Sequence, residues 1–342
     1  MKNFTPHRVL ASKGFVMLLV VFFSIQIQET RAQYISNNGA FISITSGTVI
    51  GMDSISNENS ATLINNGIIT IKTVHNTATI ENNNTFTITT LNNNELLENH
   101  ETLTVDTVTN TKTLINNKNL ATVTVHNAGT FQNTETLTAT TLNNTNTFEN
   151  TGSLTATTVT NAGTFTNEAS FTAPTVSNSN IFDNNGTFTG ETVTNTITGT
   201  FQNTDTFSAT TVTNAGTFTN EVSFTAPTLN NTNIFDNNGT VTSETVTNAG
   251  TFTNEASFTA PTVSNSNIFD NNGTFTGETV TNTITGTFQN TDTFSATTVT
   301  NAGTFTNEVS FTAPTLNNTN TFENDGTLTS ETVTNTNTGT FN

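Results

Sequence analysis

The stretch Asn161–Val176, NAGTFTNEASFTAPTV, decides the fold. Its apolar residues Phe165, Phe171 and Val176 stand six and five positions apart, and Phe182 follows six further on, so the pattern closes after 17 residues. We name these the first, second and third positions of a coil. Spacings of five and six fit neither the three-and-four rhythm of an amphipathic helix nor the alternation of a long hairpin strand. Three short strands per coil, each with one inward apolar residue between outward Thr or Ser, do fit them: Thr164-Phe165-Thr166, Ser170-Phe171-Thr172 and Thr175-Val176-Ser177.

Outward from this stretch the register runs through most of the chain. Third positions fall at Ile55, Val74, Leu91, Val108, Val125, Leu142, Val159 and Val176, and continue to Val333. Two-residue insertions recur at one corner, before Leu63, Phe201, Phe288 and Phe341. Residues 161–247 are duplicated as 248–334, the copies differing only at Ile234/Thr321, Asp236/Glu323, Asn238/Asp325 and Val241/Leu328. The expected fold is all-β: a single-stranded parallel β-helix (β-solenoid), triangular in section, with about 17 residues per coil and right-handed crossovers. Asn two places after the first and third positions (Asn161, Asn167, Asn178, Asn184) is expected to form a corner ladder in left-handed backbone geometry. The narrow corner after the second position carries Ala173, Gly190 and Ala209, and also Pro174, Pro227, Pro261 and Pro314, where a missing N–H does least harm.

The 342 residues resolve into three segments on this reading. Residues 1–32 read as a signal peptide: Lys2, Arg8 and Lys13 precede the apolar run Gly14–Ile25, and cleavage is expected after Ala32. Residues 33–54, less regular, read as an N-terminal capping region, and residues 55–342 as the solenoid domain of about 17 coils. That apolar run is too short to span a bilayer, so no membrane span is expected once the signal is removed.

The formal net charge is −18, and four of the seven basic residues precede Gln33. With no Lys/Arg stripe to displace phosphate counterions, nucleic acid is excluded as a partner. Cysteine is absent, so the expected secreted chain relies on ladders and stacking in place of disulfides.

Catalytic and metal chemistry has few candidates. His75 and His126 follow third-position valines and are expected to project outward as strand residues, and His100 is the other histidine after the signal segment. The acids recur by repeat position instead of forming one unrepeated cluster, which leaves a carbohydrate-active β-helix enzyme as the weakest reading. DNNG runs beginning at Asp183, Asp236 and Asp270, with ENDG at Glu323, are calcium candidates. They lack the spaced oxygens of a calcium loop, and the competing reading is an Asn–Gly corner that needs positive φ. No other cofactor is expected. The second-position face repeats hydroxyls coil after coil, through Thr136/Thr138, Ser170/Thr172, Thr187/Thr189 and Ser223/Thr225, and is the candidate binding face.

The runs NAGTFQNTETLTATTL (Asn127–Leu142) and ENTGSLTATTV (Glu149–Val159) resemble the N-x-G-x-L-x-N-x-x-x-L-x-A repeats of filamentous-haemagglutinin-like adhesins and other secreted bacterial β-solenoid repeat proteins. The likeness covers roughly residues 60–342. It implies a non-enzymatic structural or adhesive protein, secreted or on the outer surface of a bacterial cell. Such a protein would bind an extracellular surface, polysaccharide or protein through its repeated faces. Members of that family are usually far longer than this chain. The alternative is an ice-binding solenoid using the second-position hydroxyl ladder, whose ordered hydroxyl and methyl array resembles those of ice-binding solenoids. The last coil, ending just after Phe341, also suggests end-to-end self-association through unpaired strand edges.

Overall fold

The computed structural model describes residues 32–342 except Asn337, so the expected signal peptide lies outside the described residues but for its last position. All described elements are β-strands, and their ladders are parallel. The chain divides into two compact units, Met1–Thr138 and Ala139–Asn342. Each is wound as a parallel β-solenoid with one coil every 17 residues, lengthened to 19 where the two-residue insertions fall.

The three apolar columns form as the spacing predicts, but the strands carrying them are grouped two and one. In most coils the second and third positions share one nine-residue strand, such as Ser170–Asn178, while the first position sits in a four-residue strand, such as Thr164–Asn167. The coil therefore has two sheets where three separate strands were expected. The cause is the residue two places after the second position. It points inward, so alternation carries past the second position and breaks only at the outward pair Pro174 and Thr175: Ser170 and Thr172 face out while Phe171, Ala173 and then Val176 face in. Pairing steps over the corner residue, with Thr155 opposite Thr172 and then Thr158 opposite Thr175, so Pro174 occupies a place where no ladder bond is lost. In later coils the strand parts at this point into Thr206–Ser208 and Thr211–Asn214.

This inward corner residue forms a fourth core column that compensates for the size of the others. In the first unit Met52, Ile71, Ile88 and Val105 fill it beside a core of mainly Leu and Ile. In the second unit, where Phe takes most first and second positions, it shrinks to Ala156, Ala173, Gly190, Ala209 and Ala226. A Cβ at Gly190 would lie 2.7 Å from Phe188 Cζ. Where the second position contracts to Val241, the slot grows to a buried Ser243, whose hydroxyl donates to the carbonyls of Pro227 (3.3 Å) and Thr245 (3.2 Å). Large and small residues alternate across facing positions because interior volume must be filled without voids.

First-position phenylalanines of the second unit stack face to face. Ring centroids are 4.6 Å apart for Phe165–Phe182 and 4.7 Å for Phe201–Phe218, the spacing of neighbouring strands. Within a coil the first- and second-position rings meet edge to face, as Phe218 and Phe224 do at 83°. Such contacts contribute about 0.5–1.5 kcal/mol each beyond area burial.

Two columns of asparagine complete the interior. In the second unit one runs from Asn144 through Asn161, Asn178 and Asn195 to Asn335, the other from Asn150 through Asn167, Asn184 and Asn203 to Asn324. Each Nδ2 donates to the next Oδ1 at 2.6–2.9 Å. The same nitrogen also reaches a backbone carbonyl of the next coil, as Asn178 does to Thr200. The first unit has equivalent columns from Asn37 to Asn127 and from Asn65 to Asn133. The ladder is as expected; its backbone is not. Positive φ among the described residues is confined to Asn59, Ser60, Gly39 and Gly47, so ladder asparagines turn the corner without left-handed geometry. They point inward, and their amides add a second hydrogen bond to corner carbonyls such as those of Gly163 and Asn180, which also accept from Ile181 N and Thr200 N of the next coil.

The segment 33–54 is itself wound in register with the coils that follow. Ile35 lies opposite Ile55, Ile42 opposite Leu63 and Ile50 opposite Ile69. Its irregularity is a matter of turns at Gly39 and Gly47 and of exposed Tyr34, Phe41 and Val49, and the strand Val49–Glu58 runs through the expected boundary.

Candidate functional site: the outward faces

Because the interior is filled by columns, chemistry is left to the outward residues and is repeated by register. In the second unit these residues sort by charge. That unit contains no Lys, Arg or His. All its acids lie on the first-position strand, on the corner after it, or on the corner between second and third positions.

The calcium candidates belong to the acidic side. Asp183 and Asp270 project from the middle of the strands Ile181–Asn184 and Ile268–Asn271, and Asp236 from Ile234–Asn237. Burial raises the pKa of all three above the usual carboxylate value. Neighbouring Glu168 adds to the rise at Asp183, and Glu255 at both Asp236 and Asp270, while a hydrogen bond from Thr253 partly offsets it at Asp236. Glu323 holds the same register, opposite Thr306. The DNNG residues do not converge on one point. In the first run Asp183 faces out, Asn184 is buried in the ladder, and Asn185 donates to Glu168 Oε1 at 2.8 Å. Among the described residues no group of three or more His, Cys, Asp or Glu is placed to hold a metal ion.

The corner glycines also have a different reason from positive φ, which none of Gly186, Gly239, Gly273 and Gly326 adopts. At Gly186 an added Cβ would collide with the carbonyl oxygen of Ala169 in the preceding coil, and at Gly239 with that of Val222. Glycine is required there by the close approach of two backbones.

His75 and His126 are exposed on third-position strands, as expected, and His75 Nδ1 lies 3.1 Å from Asn92 Nδ2. His100 is 3.4 Å from Glu98 in the first unit.

The hydroxyl face read from sequence forms as an outward array. In the second unit Ser170, Thr187, Thr206 and Ser223 are in register, as are Thr172, Thr189, Ser208 and Thr225. Thr172, Thr187, Thr189 and Thr225 are exposed, Ser170 likewise, and Ser223 is half-buried; Thr136 and Thr138 are exposed in the first unit. This face borders charge, since its corner column carries Pro174, Glu191, Thr210, Pro227, Glu244 and Pro261 in turn. A shallow cleft of about 310 Å³ opens there between Pro227 and Pro261, lined also by Thr225, Thr242, Ser243, Glu244 and Thr259.

The neighbouring third-position lane is more regular. Its first rank is Thr at every coil, with Thr175, Thr192, Thr211, Thr228, Thr245 and Thr262 in register and the rank continuing to Thr332. Its second rank reads Ser177, Thr194, Thr213, Asn230, Thr247 and Ser264. In the second unit neither this lane nor the corner after it carries a charged residue, and its acidic neighbours are those of the shared corner before it, where Glu191, Glu244 and Glu278 precede Thr192, Thr245 and Thr279. Both faces are rich in Thr. What separates them is where the acids fall relative to the strands.

Comparison of the chain with protein-family models, with curated proteins and with solved structures finds no match.

Proposed function

We propose that the chain is a non-enzymatic repeat protein, secreted or held at a cell surface, that adheres to extended polymers, with polysaccharide the favoured class. The observation that carries this reading is the charge-free hydroxyl lane of the second unit. Its Thr rank presents the same donor and acceptor once per coil in strand register. Individual hydroxyl contacts to a hydrated polymer are weak, but equal contacts repeated along one lane act together once the first has formed. The 87-residue block 248–334 repeats 161–247, so the lane can be shortened by whole coils without altering its chemistry. Removing residues 248–334 is expected to leave a folded protein that binds an insoluble polysaccharide panel many-fold more weakly than the parent. Equal binding by both forms would refute a multivalent lane. Failure of the parent to bind any polysaccharide would shift the partner class to protein.

The ice-binding alternative has a specific observation in its favour. The same Thr rank repeats at the inter-strand distance of about 4.8 Å on a regular sheet. Thermal hysteresis of the purified protein tests it. Activity abolished by Thr211→Lys, Thr228→Lys and Thr245→Lys together would assign it to this lane, and an inactive parent would remove it. No helix of the described residues is long and apolar enough to cross a bilayer.

A further inference from the structure

Five Asn–Gly pairs occur in the chain, at Asn38, Asn66, Asn185, Asn238 and Asn272. In four of them the side-chain oxygen accepts a hydrogen bond from the next coil. The donors are Asn59 Nδ2 to Asn38 (2.6 Å), Asn83 Nδ2 to Asn66 (3.2 Å), Thr204 Oγ1 to Asn185 (2.7 Å) and Thr291 Oγ1 to Asn272 (2.8 Å). Asn185 and Asn272 are held at the other end too, donating at 2.8 Å to Glu168 and Glu255. Asn238 is different. Its Nδ2 reaches Glu221 Oε1 at a longer 3.1 Å, and among the described residues no donor reaches its Oδ1. The slot above it, filled by Thr204 over Asn185, holds Glu255, a carboxylate without a proton to give.

We propose that Asn238 is a site of spontaneous deamidation, and that the reaction adds a third carboxylate to the corner between Glu221 and Glu255. The side chain is exposed and tethered at one end only, so it can rotate until its carbonyl carbon meets the next backbone nitrogen. That nitrogen belongs to Gly239, whose missing side chain leaves the approach open, and its own hydrogen bond to Asn237 Oδ1 is long, at 3.2 Å. In the reaction Gly239 N gives up its proton and bonds to Asn238 Cγ. The Cγ–Nδ2 bond breaks and nitrogen leaves as ammonia. Water then opens the cyclic imide to aspartate or isoaspartate. The ladder asparagines are shielded from this route, because burial and hydrogen bonds at both ends fix their side chains along the stack.

A second observation is independent of the first. The two copies differ at four positions, all within one coil, and one of them is Asn238, whose counterpart is Asp325. The deamidated first copy would thus carry the charge that the second copy already has beside Glu308. The acidic side is also where an added carboxylate acts on its neighbours, since Asp236 stands in the same coil with Glu255 already raising its pKa.

The test follows the full chain during warm incubation at mildly alkaline pH. Cleavage at Glu separates Asn238 (peptide 222–244) from Asn185 and Asn272, whose peptides 169–191 and 256–278 are identical in sequence and are read as one pool; the mass gain of amide-to-acid conversion is followed in both, with fragmentation to locate it. Asn238 is expected to convert several-fold faster than the other two. Glu255→Thr, which supplies the missing hydroxyl, is expected to slow Asn238 to the pace of Asn185, and Thr291→Val to add a faster phase to the pooled peptide, from its Asn272 half. Thermal melts of each variant confirm that the fold is retained. Equal rates at the three sites, or a Glu255→Thr variant that converts Asn238 as fast as the parent, would overturn the proposal.

Discussion

Replacing Asn220 by Asp tests the interior ladder at the cost of a single atom exchange. Asn220 is fully buried; its Oδ1 accepts from Asn203 at 2.8 Å, and its Nδ2 donates to Asn237 Oδ1 at 2.8 Å and to the Thr240 carbonyl at 3.2 Å. In Asn220→Asp the acceptor survives, but the donor becomes an oxygen facing two acceptors in a site without water. Burial and those contacts disfavour the ionised form, raising the carboxyl pKa in the folded protein above its unfolded value. A rise of about three units corresponds to about 4 kcal/mol of lost stability at neutral pH. The folded state then binds the proton more tightly than the unfolded chain. The penalty is therefore absent below about pH 4, grows as pH rises from there, and is complete once pH exceeds the folded pKa. Asn220→Ala loses the same two donor bonds and the acceptor at every pH, for about 3 kcal/mol. Asn203 then keeps the carbonyls of Asp205 and Ser223, which limits the loss. Urea unfolding of both variants at neutral and acid pH, each referred to the parent at the same pH, should show Asp the worse variant at neutral pH and the better one in acid. A pH-independent difference between Asp and the parent would refute the inward, water-excluded placement of the ladder.

Three further outcomes are expected. Gly216→Ala places a Cβ against the carbonyls of Gly199 and Thr196, both backbone, and is expected to cost more than about 3 kcal/mol, read as a lowered unfolding midpoint. Gly190→Ala meets Phe188 Cζ at 2.7 Å and one backbone oxygen, that of Ala173, at 2.9 Å, a milder approach than at Gly216, and should cost about 1–3 kcal/mol; a Gly190→Ala loss equal to that of Gly216→Ala would contradict this ranking by backbone clearance. Asp236→Asn removes a carboxylate whose pKa is raised by burial and then by Glu255. The parent loses stability as pH rises from the ordinary carboxylate value of 3.8 through the folded pKa, so the variant should melt above the parent at neutral pH and level with it in strong acid; no gain at neutral pH would count against that burial.

Much of this interior is legible in the sequence because a solenoid stacks each residue on its own counterpart. Spacings of six, six and five name the first three columns, and an Asn repeated two places later stacks on another Asn. The fourth column was visible in Ile71, Ile88 and Val105, but Ala173 and Gly190 hid it, since small residues at a corner read as turn formers. The same habit misreads Asn–Gly at Asn185–Gly186. In a hairpin that pair signals positive φ, whereas here the coil beneath sets the geometry and glycine is kept for clearance. That the third-position lane carries no acid follows from register alone; that the second and third positions share one strand was not legible, because it depends on the inward turn of the corner residue.

The duplication shows what such an interior permits. Residues 161–247 comprise five coils and one two-residue insertion, so a second block continues every column in register. The insertion does not disturb the ladder. Asn195 Nδ2 still reaches Asn214, and its bond within the corner merely lengthens its span to the Gly199 carbonyl, four residues on. The surplus is expelled outward as Ile197 and Ile284, 81% and 79% exposed. Drift between the copies is confined to residues 234–241 and their counterparts, and three of the four changes are on the outer surface. The one core change is Val241 against Leu328, in a coil whose corner residue is Ser in both copies, Ser243 and Ser330. A chain built this way conserves its columns because each residue there bonds to or packs on its own copies above and below, and it is free to vary only where a side chain faces water. Functional differences between coils should therefore be sought in the outward residues of the coil that begins at Ile234, where the acid row, the shallow cleft and the one loosely tethered Asn–Gly pair coincide.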